Sequence, residues 1–111
     1  MGGLFVDPGL LSARLSLETP EELPDGQGGM TEGWMPVASL WGRIEPLAAR
    51  PDEVAGAAVA VITHRITIRH RDGVSHAMRF VHRGRNLVIR AVRDPDERRR
   101  YLVCDCEETM P

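Results

Sequence analysis

Residues 58–71 read AVAVITHRITIRHR. In an extended chain successive side chains point to opposite faces, so Ile62, His64, Ile66, Ile68 and His70 share one side and Thr63, Arg65, Thr67, Arg69 and Arg71 the other. One side is largely apolar and the other carries arginine and threonine, the pattern of a strand half-buried in a sheet. Asp72-Gly73 follows as a turn signal, and alternation resumes over residues 75–83, with Met78 and Phe80 opposite Arg79, Val81 and Arg83. Gly84-Arg85 predicts the next turn and residues 86–93 a strand carrying Leu87, Val88, Ile89 and Val92. Asp94-Pro95-Asp96 breaks that pattern. Residues 98–106 supply a last strand with Tyr101, Leu102, Val103 and Cys104, and an acidic tail is expected from Glu107 onward.

The first half is less regular. Residues 1–9 predict a flexible arm, and residues 10–17 a strand in which Leu11, Leu15 and Leu17 alternate with Ser12, Arg14 and Ser16. Residues 18–33 hold two prolines, four glycines and five acids without periodicity, which predicts a long acidic loop. Residues 34–47 (WMPVASLWGRIEPL) read as a strand with Val37 and Trp41 on one face and Leu40 and Ile44 on the other, as if covered on both sides. Residues 50–59 predict a short helix, with Pro51 at its first position and Asp52 and Glu53 at the positive end of its dipole. About six strands in 111 residues fit one mainly β domain, a small antiparallel barrel or sandwich over residues 10–108 with residues 109–111 as a tail.

With 42% hydrophobic and 27% charged residues, the chain is neither a disordered nor a collagen-like sequence. No apolar run approaches the roughly 20 residues that span a bilayer, the opening MGGLFVDPGLL is not that of a secretion signal, and no membrane partner is expected. All 14 basic residues are arginine. Residues 1–55 set three arginines against nine acids, a formal charge of −6, whereas residues 56–111 set eleven against seven, giving +4. Such asymmetry suits a nucleic-acid surface or head-to-tail contact between copies, and arginine favours bidentate pairing with carboxylate or phosphate.

No catalytic constellation stands out. His64, His70, His76 and His82 recur every six residues, about 20 Å along a strand, too far apart to share a metal unless the chain folds back. Gly26-Gln27-Gly28-Gly29 neither follows a clear strand nor opens a helix, so it lacks the setting of a phosphate loop. Cys104 and Cys106 share one face of a strand, too close in sequence for an unstrained disulfide, and read as reduced. The expectation is a non-enzyme without metal or cofactor. The groups Arg65/Arg69/Arg71 and Arg79/Arg83/Arg85 could form one basic face, but only five aromatic rings accompany them, few for a base-stacking surface.

Several runs together resemble one family. Gly33-Trp34-x-Pro36-Val37-Ala38-x-x-Trp41-Gly42-x-Ile44-Glu45-Pro46-Leu47 resembles the second-strand signature of phage head–tail joining proteins, also called head-closure, stopper or head–tail adaptor proteins. Thr63-His64-Arg65-Ile66-Thr67-Ile68-Arg69 is similar to their central strand. Gly84-Arg85-x-Leu87-x-Ile89-Arg90-Ala91-Val92, Asp94-Pro95-Asp96-Glu97-Arg98, Tyr101-Leu102 and Cys106-Glu107-Glu108 are similar to their C-terminal half. The resemblance spans residues 10–108 and implies a small antiparallel β-barrel with a short helical insertion and a long loop.

It also implies a homo-oligomeric ring of six or twelve copies at the vertex of a phage, prophage or gene-transfer-agent capsid. That ring would sit between a portal or adaptor ring and a tail terminator or tail tube, with double-stranded DNA passing through it. Assembly would take place in the bacterial cytoplasm. On this reading Trp34, Trp41, Arg43, Arg65, Arg69 and Arg98 are expected at subunit interfaces, and Glu21, Glu22 and Asp25 on the channel or tail side. The alternative is a small sequence-independent nucleic-acid-binding barrel that uses its arginine face.

Overall fold

The computed structural model describes residues 8–53 and 59–110, giving the backbone alone for residues 8, 49–53 and 59–60. A 3-10 turn at Pro8–Leu10 leads into six strands: β1 (Ala13–Pro24), β2 (Met30–Glu53), β3 (Val59–Arg69), β4 (Arg79–His82), β5 (Arg85–Arg93) and β6 (Tyr101–Thr109). They close in the order β1-β2-β3-β6-β5-β4, with β4 pairing back onto β1, and every neighbouring pair is antiparallel. Closure removes the open edges that a half-buried sheet would otherwise expose. The barrel read from the sequence is the barrel observed.

The alternation in residues 58–71 is what fills it. Ile62, His64, Ile66 and Ile68 point inward and are buried, joined by Leu15, Leu17, Phe80, Leu87, Ile89, Leu102, Cys104 and Cys106 from the other strands. Thr67 lies on the outward parity yet is also buried, as is its cross-strand partner Val103. Arg43 stands opposite Thr67 and Arg93 opposite Val103, so long side chains flank both. Gly42 is where β2 changes company. It pairs with Ala13 on one side and Ile68 on the other, and an added Cβ would stand 2.6 Å from Leu15 Cδ1.

Three expectations need correction. The acidic stretch of residues 18–33 is not a loop: β1 runs on to Pro24, β2 starts at Met30, and the pairing continues out to Pro24↔Met30. Its missing periodicity has a physical cause, because a ribbon that leaves the barrel has no core to bury a face against. Backbone hydrogen bonds hold it whatever the side chains alternate. The turn was legible, since Asp25-Gly26 is the same signal as Asp72-Gly73. Asp25 Oδ1 accepts from the amides of Gln27 at 2.7 Å and Gly29 at 3.0 Å, while Gly26 and Gly28 take φ of +81° and +83°.

The helix expected over residues 50–59 is not formed where the chain is described. Arg50, Pro51, Asp52 and Glu53 extend β2 and pair with Ile62, Val61, Ala60 and Val59; residues 54–58 lie outside the described residues. So short a helix would need a packed face to survive, whereas extending an existing hairpin needs no new nucleus. The acidic tail expected from Glu107 onward is instead the end of β6, which runs to Thr109. Glu107 ion-pairs with Arg90 at 2.9 Å and Glu108 with Arg85 at 2.8 Å, so β5 holds it in the sheet.

Smaller shifts affect the turns. The β4–β5 turn is Arg83-Gly84, both at positive φ (51° and 77°) as a two-residue hairpin of that twist requires, one residue earlier than read. The last strand starts at Tyr101 rather than residue 98. Asp94 and Asp96 side chains accept from the amides of Arg99 and Arg98 and hold those residues in the loop. Of the expected N-terminal arm, residues 1–7 lie outside the described residues.

Candidate assembly surface

Strand direction sorts the molecule into two ends. β1, β3 and β5 run one way and β2, β4 and β6 the other, so one end gathers the β1–β2 turn, the β3–β4 connection (residues 70–78) and the β5–β6 connection (residues 94–100). We call this the loop end. β4 pairs with β1 only at Ser16, Leu17 and Glu18, and β3 pairs with β2 only from Gly42 onward. Beyond those points, residues 19–24 and 30–36 form a two-stranded arm that leaves the barrel at the loop end. The long axis of the molecule is 55 Å against 30 and 24 Å across.

One cluster anchors the arm. Arg79 on β4 pairs with Glu18 at 2.8 Å, both side chains less than a fifth exposed, and lays its guanidinium 4.2 Å from the centroid of the Trp34 ring. Partial desolvation strengthens both contacts relative to water. On the same outward face of β2, Arg14 stacks 4.8 Å from the Trp41 ring. Trp41 remains 52% exposed, and Leu40 and Ile44 on the opposite face pack on the core. One of the two apolar faces read for this strand is therefore covered by the barrel, and the other is open. Leu23, Met30, Met35 and Val37 are also exposed along the arm and at the β1–β2 bulge.

The arm is acidic without compensation. Glu21, Glu22 and Glu32 make no ion pair among the described residues, and Asp25 is occupied by the turn amides. Of the 14 arginines, Arg14 stacks on Trp41, the side chain of Arg50 lies outside the described residues, and Arg83, in the β4–β5 turn at the opposite end, makes no ion pair among the described residues. Eight find a carboxylate in the chain: Arg43 with Glu45, Arg65 and Arg93 with Asp105, Arg79 with Glu18, Arg85 with Glu108, Arg90 with Glu107, Arg99 with Asp72 and Arg100 with Asp96. Arg69 and Arg98 have no side-chain partner among the described residues, and Arg71 reaches only the Asp72 carbonyl at 3.5 Å. All three lie at the loop end.

Five of the six expected interface residues, Trp34, Trp41, Arg43, Arg65 and Arg69, share the outward parity of the neighbouring strands β2 and β3, Trp41 and Arg69 lining one cleft, while Arg98 stands apart in the β5–β6 connection. Of the five, Arg43 and Arg65 already have in-chain partners.

Two buried features belong to the barrel's own stability. His64 Nε2 faces the Arg85 guanidinium at 3.3 Å. Guanidinium can only donate, so Nε2 accepts and the proton sits on Nδ1, 2.8 Å from the Thr63 hydroxyl. Burial, and then the Arg85 charge, hold the imidazole below its ordinary pKa of 6.5. The free thiols of Cys104 and Cys106 are both buried; burial pushes Cys104 up to about 12 and raises Cys106 as well. Among the described residues, no three or more His, Cys, Asp or Glu side chains come together as a metal site.

Phage head completion proteins match this chain over residues 6–109, the barrel and the arm together. The chain belongs to the phage head completion protein family. Among solved structures, this head completion protein is similar to protein SF1141 from Shigella flexneri 2a, at 26% identity and a TM-score of 0.67, covering 93% of this chain and 96% of that one. It also shares its fold with a chain from the virion of a native gene transfer agent particle, at 23% identity and a TM-score of 0.61, covering 86% of this chain and 93% of that one. No curated protein matches it.

Proposed function

We propose that this head completion protein is a non-enzymatic head–tail connector subunit of the stopper type. Copies form a ring below the portal or adaptor of a tailed phage or gene transfer agent, retain the packaged DNA and offer a platform to the tail. The observation that carries the reading is the family match over residues 6–109, which includes both the barrel and its projecting arm. The shared fold with a chain of a gene transfer agent virion agrees with it. So does the surface: an arm with exposed Leu23, Met30 and Met35 and unpaired carboxylates is built to meet protein.

The rival reading, a barrel that holds nucleic acid on its arginines, fits the structure less well. Eight of the 14 arginines are already matched to carboxylates, which would repel a phosphate backbone placed against them. Deleting the gene in a producing strain and imaging the particles tests the proposal. Heads that have lost DNA, with tails accumulating separately, are expected. Intact, tailed, DNA-filled particles would refute it.

A further inference from the structure

We infer that in the ring the β1–β2 arm of one copy lies across the loop end of the next, its carboxylates on that neighbour's Arg69, Arg71 and Arg98. The inference rests on the connector reading and adds to it the contact that joins subunits.

Four observations lead there. First, the arm carries Glu21, Glu22 and Glu32 and no basic residue between positions 19 and 36, and none of the three is ion-paired among the described residues. Second, Leu23, Met30 and Met35 are 41, 58 and 47% exposed on a ribbon only two strands wide. Such a ribbon is marginal in water unless a surface covers it. Third, the loop end keeps three arginines that no acid neutralises, although Arg99 and Arg100 beside them are matched to Asp72 and Asp96. Fourth, arm and unpaired arginines share one end of the barrel, because both sit where β1 and β3 finish.

The last point decides the partner. In a ring whose axis parallels the barrel, rotation keeps each feature at its own height, so an arm that leans sideways from the loop end meets a neighbour's loop end. Six residues of strand reach roughly 20 Å, close to the 24 Å narrow dimension of the molecule. The arm carries four acids and no base, whereas the loop end sets five arginines, three of them unpaired among the described residues, against Asp72, Asp94, Asp96 and Glu97. The two surfaces differ, so the contact is heterologous and can propagate around a ring.

The test uses assembled particles. In a strain lacking the gene, two differently tagged copies are co-expressed, one Glu22→Cys and the other Arg98→Cys, and purified particles are treated with a short thiol crosslinker. Cys104 and Cys106 are buried and stay silent. The expected product is a dimer carrying both tags, absent when either variant is paired with the wild type. Particles that contain both variants and yield no mixed dimer would overturn the inference. So would dimers formed only between two Glu22→Cys copies, which would place the arms together in the channel.

Charge reversal supplies a second reading. Glu21→Arg with Glu22→Arg is expected to lower the yield of DNA-filled particles about tenfold or more, and Arg69→Glu with Arg98→Glu in the same chain to restore it. Yield that is unchanged by the first pair, or not restored by the second, would overturn the inference. Should the wild-type chain itself be missing from purified particles, the connector reading fails and the inference with it.

Discussion

Gly42 sits where the barrel has no room, and replacing it tests the packing directly. A Cβ there would stand 2.6 Å from Leu15 Cδ1, 3.1 Å from the Thr67 carbonyl oxygen and 3.2 Å from Ile68 Cγ2. Leu15 and Ile68 are each 1% exposed, so neither side chain has space to retreat, and the carbonyl belongs to a paired strand. Overpacking of this kind costs about 1–3 kcal/mol. Replacing a strand glycine returns about 0.5–1 kcal/mol of backbone entropy. The net for Gly42→Ala is therefore a loss of about 1 kcal/mol, roughly fivefold in the folding equilibrium. For a domain of this size that lowers the melting temperature by about 4–8 °C.

Gly33→Ala is the control. Its Cβ would meet Leu23 Cδ1 at 2.9 Å, but Leu23 is 41% exposed and can swing into solvent. A change within about 0.5 kcal/mol is expected. Thermal and urea denaturation of the purified chains, read by circular dichroism, measure both. A Gly42→Ala chain as stable as the wild type, or a Gly33→Ala chain equally weakened, would refute the packing argument.

Two further outcomes follow from the buried titratable groups. Cys104 and Cys106 should stay unreacted toward a thiol reagent at about pH 8 in the folded chain and both react once it is unfolded, because burial raises both thiols; fast labelling of either in the native state would contradict this. Since His64 is held below 6.5 in the folded state, the unfolded chain binds its proton first as pH falls. Its contribution to stability is complete above pH 6.5 and is lost as pH falls from there toward the lowered folded value. Urea midpoints between about pH 5 and about pH 7 should decline toward acid, and the slope should flatten in His64→Gln; an equal slope would exclude His64 as the cause.

The central strand was legible because each alternate residue answers to the same core. Ile62, Ile66 and Ile68 must leave water together, and that requirement is written in the order of the residues. Cys104 and Cys106 were readable as reduced for a similar local reason, since two residues along a strand lie on one face. The arm was not legible in this way. Residues 18–33 form strands whose faces meet no core of their own, so the usual signal is missing, and only the Asp25-Gly26 turn could have exposed the hairpin.

The sequence also could not say which arginines were spoken for. Arg65 and Asp105 are 40 residues apart and meet because β3 pairs with β6, and Arg79 and Glu18 are 61 apart and meet because β4 closes onto β1. By itself the sequence determined the strands that line the core, their inward faces and the uneven spread of charge, all of which depend on near neighbours along the chain. The tertiary structure decided the pairing of Glu18 with Arg79 under Trp34, the neutral state of His64 beside Arg85, and the gathering of the unpaired Arg69, Arg71 and Arg98 at the same end as the acidic arm. Those depend on which strands become neighbours when the sheet closes.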